Sequence, residues 1–537
     1  MTISQQPSLF DSGELPPSKA EASNGDDNGT RSRQQKGKAP LSSKQQLSTT
    51  IKSVRDLLRK DAGLSGDTDR LPQLTWLLFL KNLDDFERRE EALRRDYQPM
   101  LDEEFRWQSW VVDQSVKARK TGDELISFVN GELFPHLRGL PSRGEGDLRA
   151  VISTIFQDTT NRIRSGYILR EVVDKLNNIN FNSSDDIHSV SLFYETMLKE
   201  MRDAAGDSGE FYTPRPVVRF IIDRLKPRLG ERVLDPACGT GGFLVEAYEH
   251  LKDEPKTAAQ VQQLYKHLLG IEKKPMPYLL GVMNMLLHGI PTPNLREANA
   301  LATNIGQIDP ESRVDVIATN PPFGGEEERS ILENFPPGGR TAETALLFFQ
   351  YVMAMLKRPG GRCGLVLPNG FLFGGGAAST IKKQLLAKYN LHTIVRLPNG
   401  VFAPYTSIPA NLLFFDACAE SEELDAPPCT PEVWFYEIPL PEGRRSYSKT
   451  KAMQYEEFAD CSVWWDAAER VENEHAWRVP YEEIAANDFN LDRKNPASKV
   501  DYEHLPPAQL VASIMQKETR IMEIMGEIKQ LLGEDEG

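Results

Sequence analysis

The sequence predicts an α/β protein: a mainly parallel sheet with helices on both faces, preceded by an all-helical domain and followed by a helical extension. Three observations predict it. From about residue 209 short apolar runs alternate with helical patterns, as in chained βαβ units. From about 45 to 200 apolar residues such as Leu47, Ile51, Val54 and Leu58 recur at three- and four-residue steps, and strand signals are weak. Near the C-terminus, Leu510, Ile524 and Leu531 share one seven-residue register and Ile514, Ile521 and Ile528 another, interrupted by Lys517, a seam suited to a partner helix.

The elements follow in order. Residues 1–44 are rich in Ser, Gln, Gly, Pro and charge, and are expected to be a disordered tail. Its "QPSLF" resembles the short peptides that dock on the bacterial sliding clamp. The helical domain, 45–200, contains "LTWLLFLKNLDDF", "IRSGYILREVVDKLN" and "SLFYETMLKEM". The sheet domain, 201–420, reads strand, Gly-rich turn and helix in "RVLDPACGTGGFLVEAYEHL", then the strands "LLGIEKK", "RVDVIATN", "GRCGLVLPNG" and "HTIVRLPNG", with "ANLLFFDA" closing the series. The extension, 421–537, holds the strand-like "EVWFYEI" and ends in a partner-binding helix over about 506–532.

Composition excludes several classes. The 537 residues are 26% charged and 40% hydrophobic, as in ordinary globular proteins. A net charge of −15 works against gripping nucleic acid by bulk charge, so a DNA contact requires a local patch or a partner. The five cysteines form no CxxC pair, which predicts reduced thiols in the cytoplasm. The eight histidines show no metal-ligand spacing, so no metal is expected. No signal peptide opens the chain, and the longest apolar run lies far below the ~20 residues of a membrane span.

"LDPACGTGGF" combines a strand tip, a tight turn and a helix start. Gly239, Gly241 and Gly242 permit a tight turn and close backbone approach by a ligand. No Lys follows as in a phosphate loop, and Leu244 stands where a dinucleotide motif has its third Gly. Asp235 offers a carboxylate to a cationic ligand, and Glu272 ends the next strand where an acid can bind both hydroxyls of a ribose. A nucleoside with a positive amine and no phosphates fits this set, which points to S-adenosylmethionine. Upstream, "GEFYTPRPVV" leads into a helix. Thr213 is expected to cap it, with Pro214 in the first turn, while Tyr212 supplies a hydroxyl and Phe211 an apolar wall.

In "DVIATNPPFGG" two prolines stop a buried strand. Asn320 is pushed to extended geometry by Pro321. Pro321 and Pro322 offer carbonyl acceptors without N–H donors, and Phe323 adds a flat apolar face. Rigid acceptors beside an aromatic plate suit a planar ring that carries an amine.

"GEFYTPRPVV", "DPACGTGGF", "GIEKKP" and "NPPF", in this order, resemble the modification (M) subunits of type I restriction-modification systems, adenine-N6 DNA methyltransferases of the γ arrangement. The likeness runs from about residue 45 to the C-terminus and includes "FNLDRKNP" at 489–496. It implies a Rossmann-like S-adenosylmethionine-dependent methyltransferase sheet. It implies cofactor contacts at Glu210, Phe211, Tyr212, Thr213, Pro214 and Arg215, at Thr240, Gly241 and Gly242, and at Glu272. Asn299 stands where many methyltransferases use Asp to touch the cofactor adenine. The catalytic motif falls on Asn320, Pro321, Pro322 and Phe323. The implied partners are DNA, a specificity (S) subunit that holds two M subunits, and a motor and nuclease (R) subunit. Other readings are a stand-alone adenine methyltransferase, a nicotinamide-dependent oxidoreductase, opposed by Leu244 and by NPPF, and a non-catalytic binding subunit.

Overall fold

The computed structural model describes residues 43–113, 119–141, 147–181, 190–191, 194–198, 213–403, 406, 408–419, 427–448, 450–497, 515 and 517–526. The tail with its QPSLF segment, the Glu210–Tyr212 stretch, and Leu510, Ile514, Ile528 and Leu531 of the C-terminal seam lie outside the described residues.

The helical region is organised around the helix Asp67–Leu93. Asp67 and Asp69 sit in its first turn, where negative charge offsets the helix dipole. Trp76, Leu77, Leu78 and Phe79 are all buried, so consecutive residues face protein on every side, as expected of a central helix. Trp76 meets Phe134 edge-on at 5.1 Å between ring centres. The buried Tyr194 hydroxyl lies 3.2 Å from Thr75 Oγ1 and 3.4 Å from the Leu280 carbonyl, tying this region to the helix Pro275–Leu287 of the sheet region.

Among the described residues the sheet has nine strands: β1 Val233–Asp235, β2 Leu268–Glu272, β3 Asn294–Glu297, β4 Val316–Thr319, β5 Arg362–Pro368, β6 Tyr389–Arg396, β7 Ala410–Ala417, β8 Glu432–Glu437 and β9 Ala476–Pro480. Their order is β3-β2-β1-β4-β5-β7-β6-β8-β9. β1 to β5 pair in parallel, and β7 runs antiparallel between β5 and β6. Both faces are covered. In β4, Val316 and Ala318 join the core that continues into the helical region, while Ile317 joins a second core on the opposite face. Leu412 and Phe414 of β7 likewise alternate with Leu413 and Phe415, as the two-residue period of a strand requires. The chain leaves β1 for β2 and β3 on one side, then crosses back to β4 on the other. This reversal opens a crevice at the carboxyl ends of β1 and β4, where such sheets bind ligands.

Two expectations are corrected. The sheet does not close at "ANLLFFDA". β8 pairs with β6 and β9 with β8, which covers backbone donors and acceptors that β6 would otherwise expose at an edge. The cysteines are not all free. Cys418 and Cys429 are paired as a disulfide with their Cα atoms 6.6 Å apart. β7 and β8 both flank β6, which brings the end of one near the approach to the other. Cys238, Cys363 and Cys461 are buried free thiols.

Candidate active site

The Gly turn after β1 depends on two left-handed residues, Gly239 at φ +50° and Gly241 at φ +74°, a conformation that other residues adopt only with strain. The helix Gly242–Leu251 starts directly after it. Gly281 of the neighbouring helix lies so close that a Cβ there would stand 2.8 Å from the Gly239 carbonyl. Asn284, one turn on, donates from Nδ2 to the Thr240 carbonyl at 2.8 Å.

Glu272 is locked to this turn. Its Oε2 accepts from the Gly239 N–H at 2.9 Å and its Oε1 from the Lys274 N–H at 2.8 Å. Burial raises its pKa, opposed by these backbone bonds. Glu272 lines a cavity of about 80 Å³ with Gly239, Lys273, Asn299, Asn320, Pro322 and Phe348. Asn299 lies on its wall with Oδ1 accepting from the Leu301 N–H and Nδ2 donating to Glu327 at 3.3 Å. Lys273 pairs with Glu327 at 3.1 Å.

A second, smaller cavity of about 20 Å³ is lined by Thr213, Asp235, Ala237, Cys238, Thr240, Gly242, Phe243 and Asn320. Asp235 is 1% exposed. Burial pushes its carboxyl up to about 7, although it accepts from the Thr319 hydroxyl at 2.7 Å and from the Ala237 N–H at 3.2 Å. Asn320 follows Thr319 at the tip of β4. Its Nδ2 donates to Thr213 Oγ1 at 3.0 Å, and its Oδ1 is buried with no hydrogen-bond partner among the described residues. A buried amide oxygen left without a donor costs about 1–3 kcal/mol, and it marks the place where a ligand N–H would be satisfied. Phe323 packs edge-on against Phe402, with ring centres 5.5 Å apart.

The structure therefore brings Thr213, Asp235, Gly239, Thr240, Gly242, Glu272, Asn299, Asn320 and Pro322 to two adjoining cavities. Two sequence expectations change. Thr213 is not the helix cap; Pro214 holds that position and Arg215 begins the helix, and the Thr213 hydroxyl instead accepts from Asn320. Arg215 lines neither cavity, although its Nη1 lies against Gly242 of the Gly turn. Its Nε donates to Glu195 Oε2 at 2.8 Å and its Nη2 pairs with Glu195 Oε1. Burial alone would raise the Glu195 carboxyl, but the Arg215 charge and hydrogen bond outweigh it and hold the pKa down. Sequence reasoning missed Glu195, Thr319, Asn284 and Phe402. Thr319 adjoins the NPPF run and was within reach of it; the other three stand in no motif. Among the described residues no cluster of His, Cys, Asp and Glu is suited to a metal.

The family model for the N-6 DNA methylases matches residues 185–504. The chain belongs to this family. A second model, the HsdM N-terminal domain, matches residues 47–176. The chain is 45% identical over 495 residues to the type I restriction enzyme EcoEI methylase subunit of Escherichia coli, covering 91% of this chain and 98% of that protein. It is 31% identical over 396 residues to the EcoKI methylase subunit of Escherichia coli K12, covering 71% and 69%. Among solved structures, a chain of a type I restriction-modification complex superposes with a TM-score of 0.76 at 40% identity, covering 92% of this chain and 100% of that one. A modification subunit assigned to a type I restriction enzyme of Vibrio vulnificus YJ016 gives 0.75 at 49% identity, covering 86% and 99%. This N-6 DNA methylase is a type I methylase subunit, an adenine-specific DNA methyltransferase. Among the described residues no helix is long and apolar enough to cross a membrane.

Proposed function

We propose that the chain transfers a methyl group from S-adenosylmethionine to the N6 amine of an adenine turned out of DNA, within a complex whose S subunit reads the sequence. The observation that carries this is the buried Asn320 Oδ1, held ready at the tip of β4 by the Nδ2 bond to Thr213.

The donor set fits the cofactor. Glu272 presents a carboxylate fixed by two backbone N–H groups and suited to a ribose diol. Asp235 faces the smaller cavity as the group for a cationic centre, and the Gly turn admits close approach. S-adenosylmethionine would supply an electrophilic methyl group there. The N6 lone pair of adenine is delocalised into the ring and is a poor nucleophile. Asn320 Oδ1 and the Pro321 carbonyl, each accepting one N–H, favour a pyramidal nitrogen with an exposed lone pair. That interaction strengthens toward the transition state, where binding raises the rate. Turning the base out of the duplex costs a few kcal/mol. Stacking on Phe323, about 1–3 kcal/mol by comparison with other base–aromatic contacts, offsets part of this.

The need for an S subunit is supported by the net charge of −15 and by the C-terminal helix, where Ile521 is 59% and Ile524 40% exposed. Two such chains per S subunit, and an R subunit for cleavage, complete the assembly the family resemblance implies. The test is Asn320→Ala in the complex with an S subunit. Adenine methylation should be abolished while cofactor binding survives, and substantial methylation by the variant would reject the role of Asn320.

A further inference from the structure

Phe373 is 57% exposed, at the end of a short helix, Asn369–Phe373, that leaves the carboxyl end of β5. β5 pairs directly with β4, Leu365 opposite Thr319. The turn therefore lies on the same edge of the sheet as Asn320, one strand away. It is firmly braced. Lys382 is fully buried, and its Nζ donates at 2.8 Å to the carbonyls of Leu372 and Gly374, the residues on either side of Phe373. The Leu372 carbonyl also accepts from the Leu491 N–H at 2.9 Å, and the Gly374 N–H donates to Gly370 at 3.0 Å. Burial pushes the Lys382 ammonium down to about 8, with Asp488 opposing the shift. An interior cation thus holds one exposed aromatic in place.

A second exposed apolar side chain stands on the adjoining loop. Ile408 is 49% exposed and leads into β7, whose Ala410 pairs with Pro368 at the end of β5. The Asn369 N–H donates to the Pro409 carbonyl at 2.8 Å, joining the two loops. Gly375 and Gly376 follow Phe373, and a Cβ at either would meet nothing within 4 Å. Bare backbone of this kind lets a second backbone come close.

We propose that Phe373 is the wedge that enters the DNA stack beside the target and keeps the adenine turned out toward Asn320, with Ile408 on the adjoining loop. This rests on the adenine-transfer reading above. A base leaving the duplex exposes the faces of its stacked neighbours, and an inserted apolar side chain covers them again. The DNA duplex is the occupant because the pair continues the edge that holds Asn320 and Phe323, and because the glycines beside it leave room for a sugar-phosphate backbone.

The test compares methyl transfer by the chain with its S subunit on two duplexes, one fully paired and one with the target adenine opposite an abasic site. Phe373→Ala should lower kcat/KM about ten- to a hundredfold on the paired duplex, the scale of the unpairing penalty, and leave the abasic duplex nearly unaffected. Phe373→Trp should keep activity on both. Lys382→Met, which frees the turn, should give a smaller loss with the same relief. Parental activity of Phe373→Ala on the paired duplex would overturn the wedge, as would an equal loss on both substrates or a loss of S-subunit binding. If the parent complex methylates neither duplex, the adenine-transfer reading falls and the wedge with it.

Discussion

Asp235→Asn separates charge from shape at the floor of the site. Burial raises the Asp235 carboxyl to about 7, against about 3.9 in an unfolded chain. The difference of about three pH units corresponds to about 4 kcal/mol. Because the folded value is raised, the stabilising proton is fully present below about pH 4, and its contribution is lost as pH rises through about 7. Asparagine keeps a carbonyl oxygen for the Thr319 hydroxyl, which now bonds Asp235 at 2.7 Å. At pH 8 the ligand-free variant should therefore be more stable than the parent by up to about 4 kcal/mol, with the gain shrinking toward pH 4. Cofactor affinity should move the other way. A cationic ligand selects the ionised carboxylate, whose fraction rises from about 0.1 at pH 6 to about 0.9 at pH 8, so the parent's apparent Kd should fall about tenfold over that range. The variant should bind more weakly at pH 8 and show no such slope. Denaturant unfolding at pH 5 and 8 measures the first effect. Calorimetric titration with S-adenosylmethionine at pH 6, 7 and 8 measures the second, with close to one proton released on binding at the lowest pH. A pH-independent parent affinity, or an unchanged stability difference between parent and variant across pH, would refute the reasoning.

Two further predictions concern binding and assembly. Glu272→Ala removes the carboxylate fixed by Gly239 and Lys274 and should weaken cofactor binding by about 1–3 kcal/mol; unchanged affinity by calorimetry would reject the ribose assignment. Ile521→Asp with Ile528→Asp should abolish methylation of target DNA in the presence of an S subunit and leave cofactor affinity intact, while full sequence-specific activity from the chain alone would show that no partner is needed.

The Gly turn, the acid at the end of β2 and the NPPF run were legible because each is a local device. Gly239 and Gly241 are needed for the φ of one turn, and Pro321 and Pro322 stop one strand. The βα alternation was legible for the same reason, since each strand and helix carries its own period. β8 was harder to place. "EVWFYEI" reads as a strand, but its partner β6 lies beyond β7 in the sheet order, and nothing in a strand's own residues names its neighbour. Thr213 differs from the local expectation on the same ground: the cap position falls on Pro214, and the Thr213 hydroxyl meets a residue 107 positions away.

The sequence by itself determined which segments become strands and helices, which turn can admit a ligand, and which side chains offer the chemistry of an adenine methyltransferase. Only the tertiary structure decided how those groups are aimed. Thr213 orients the Asn320 amide, Thr319 holds the buried Asp235, Glu195 engages the Arg215 guanidinium, and Lys382 braces the turn that exposes Phe373. Propensity and period act over a few residues and are written in sequence order. A hydrogen bond between side chains far apart in sequence exists only after the sheet has set its strand order, because that order alone brings the tips of β1 and β4 to one crevice.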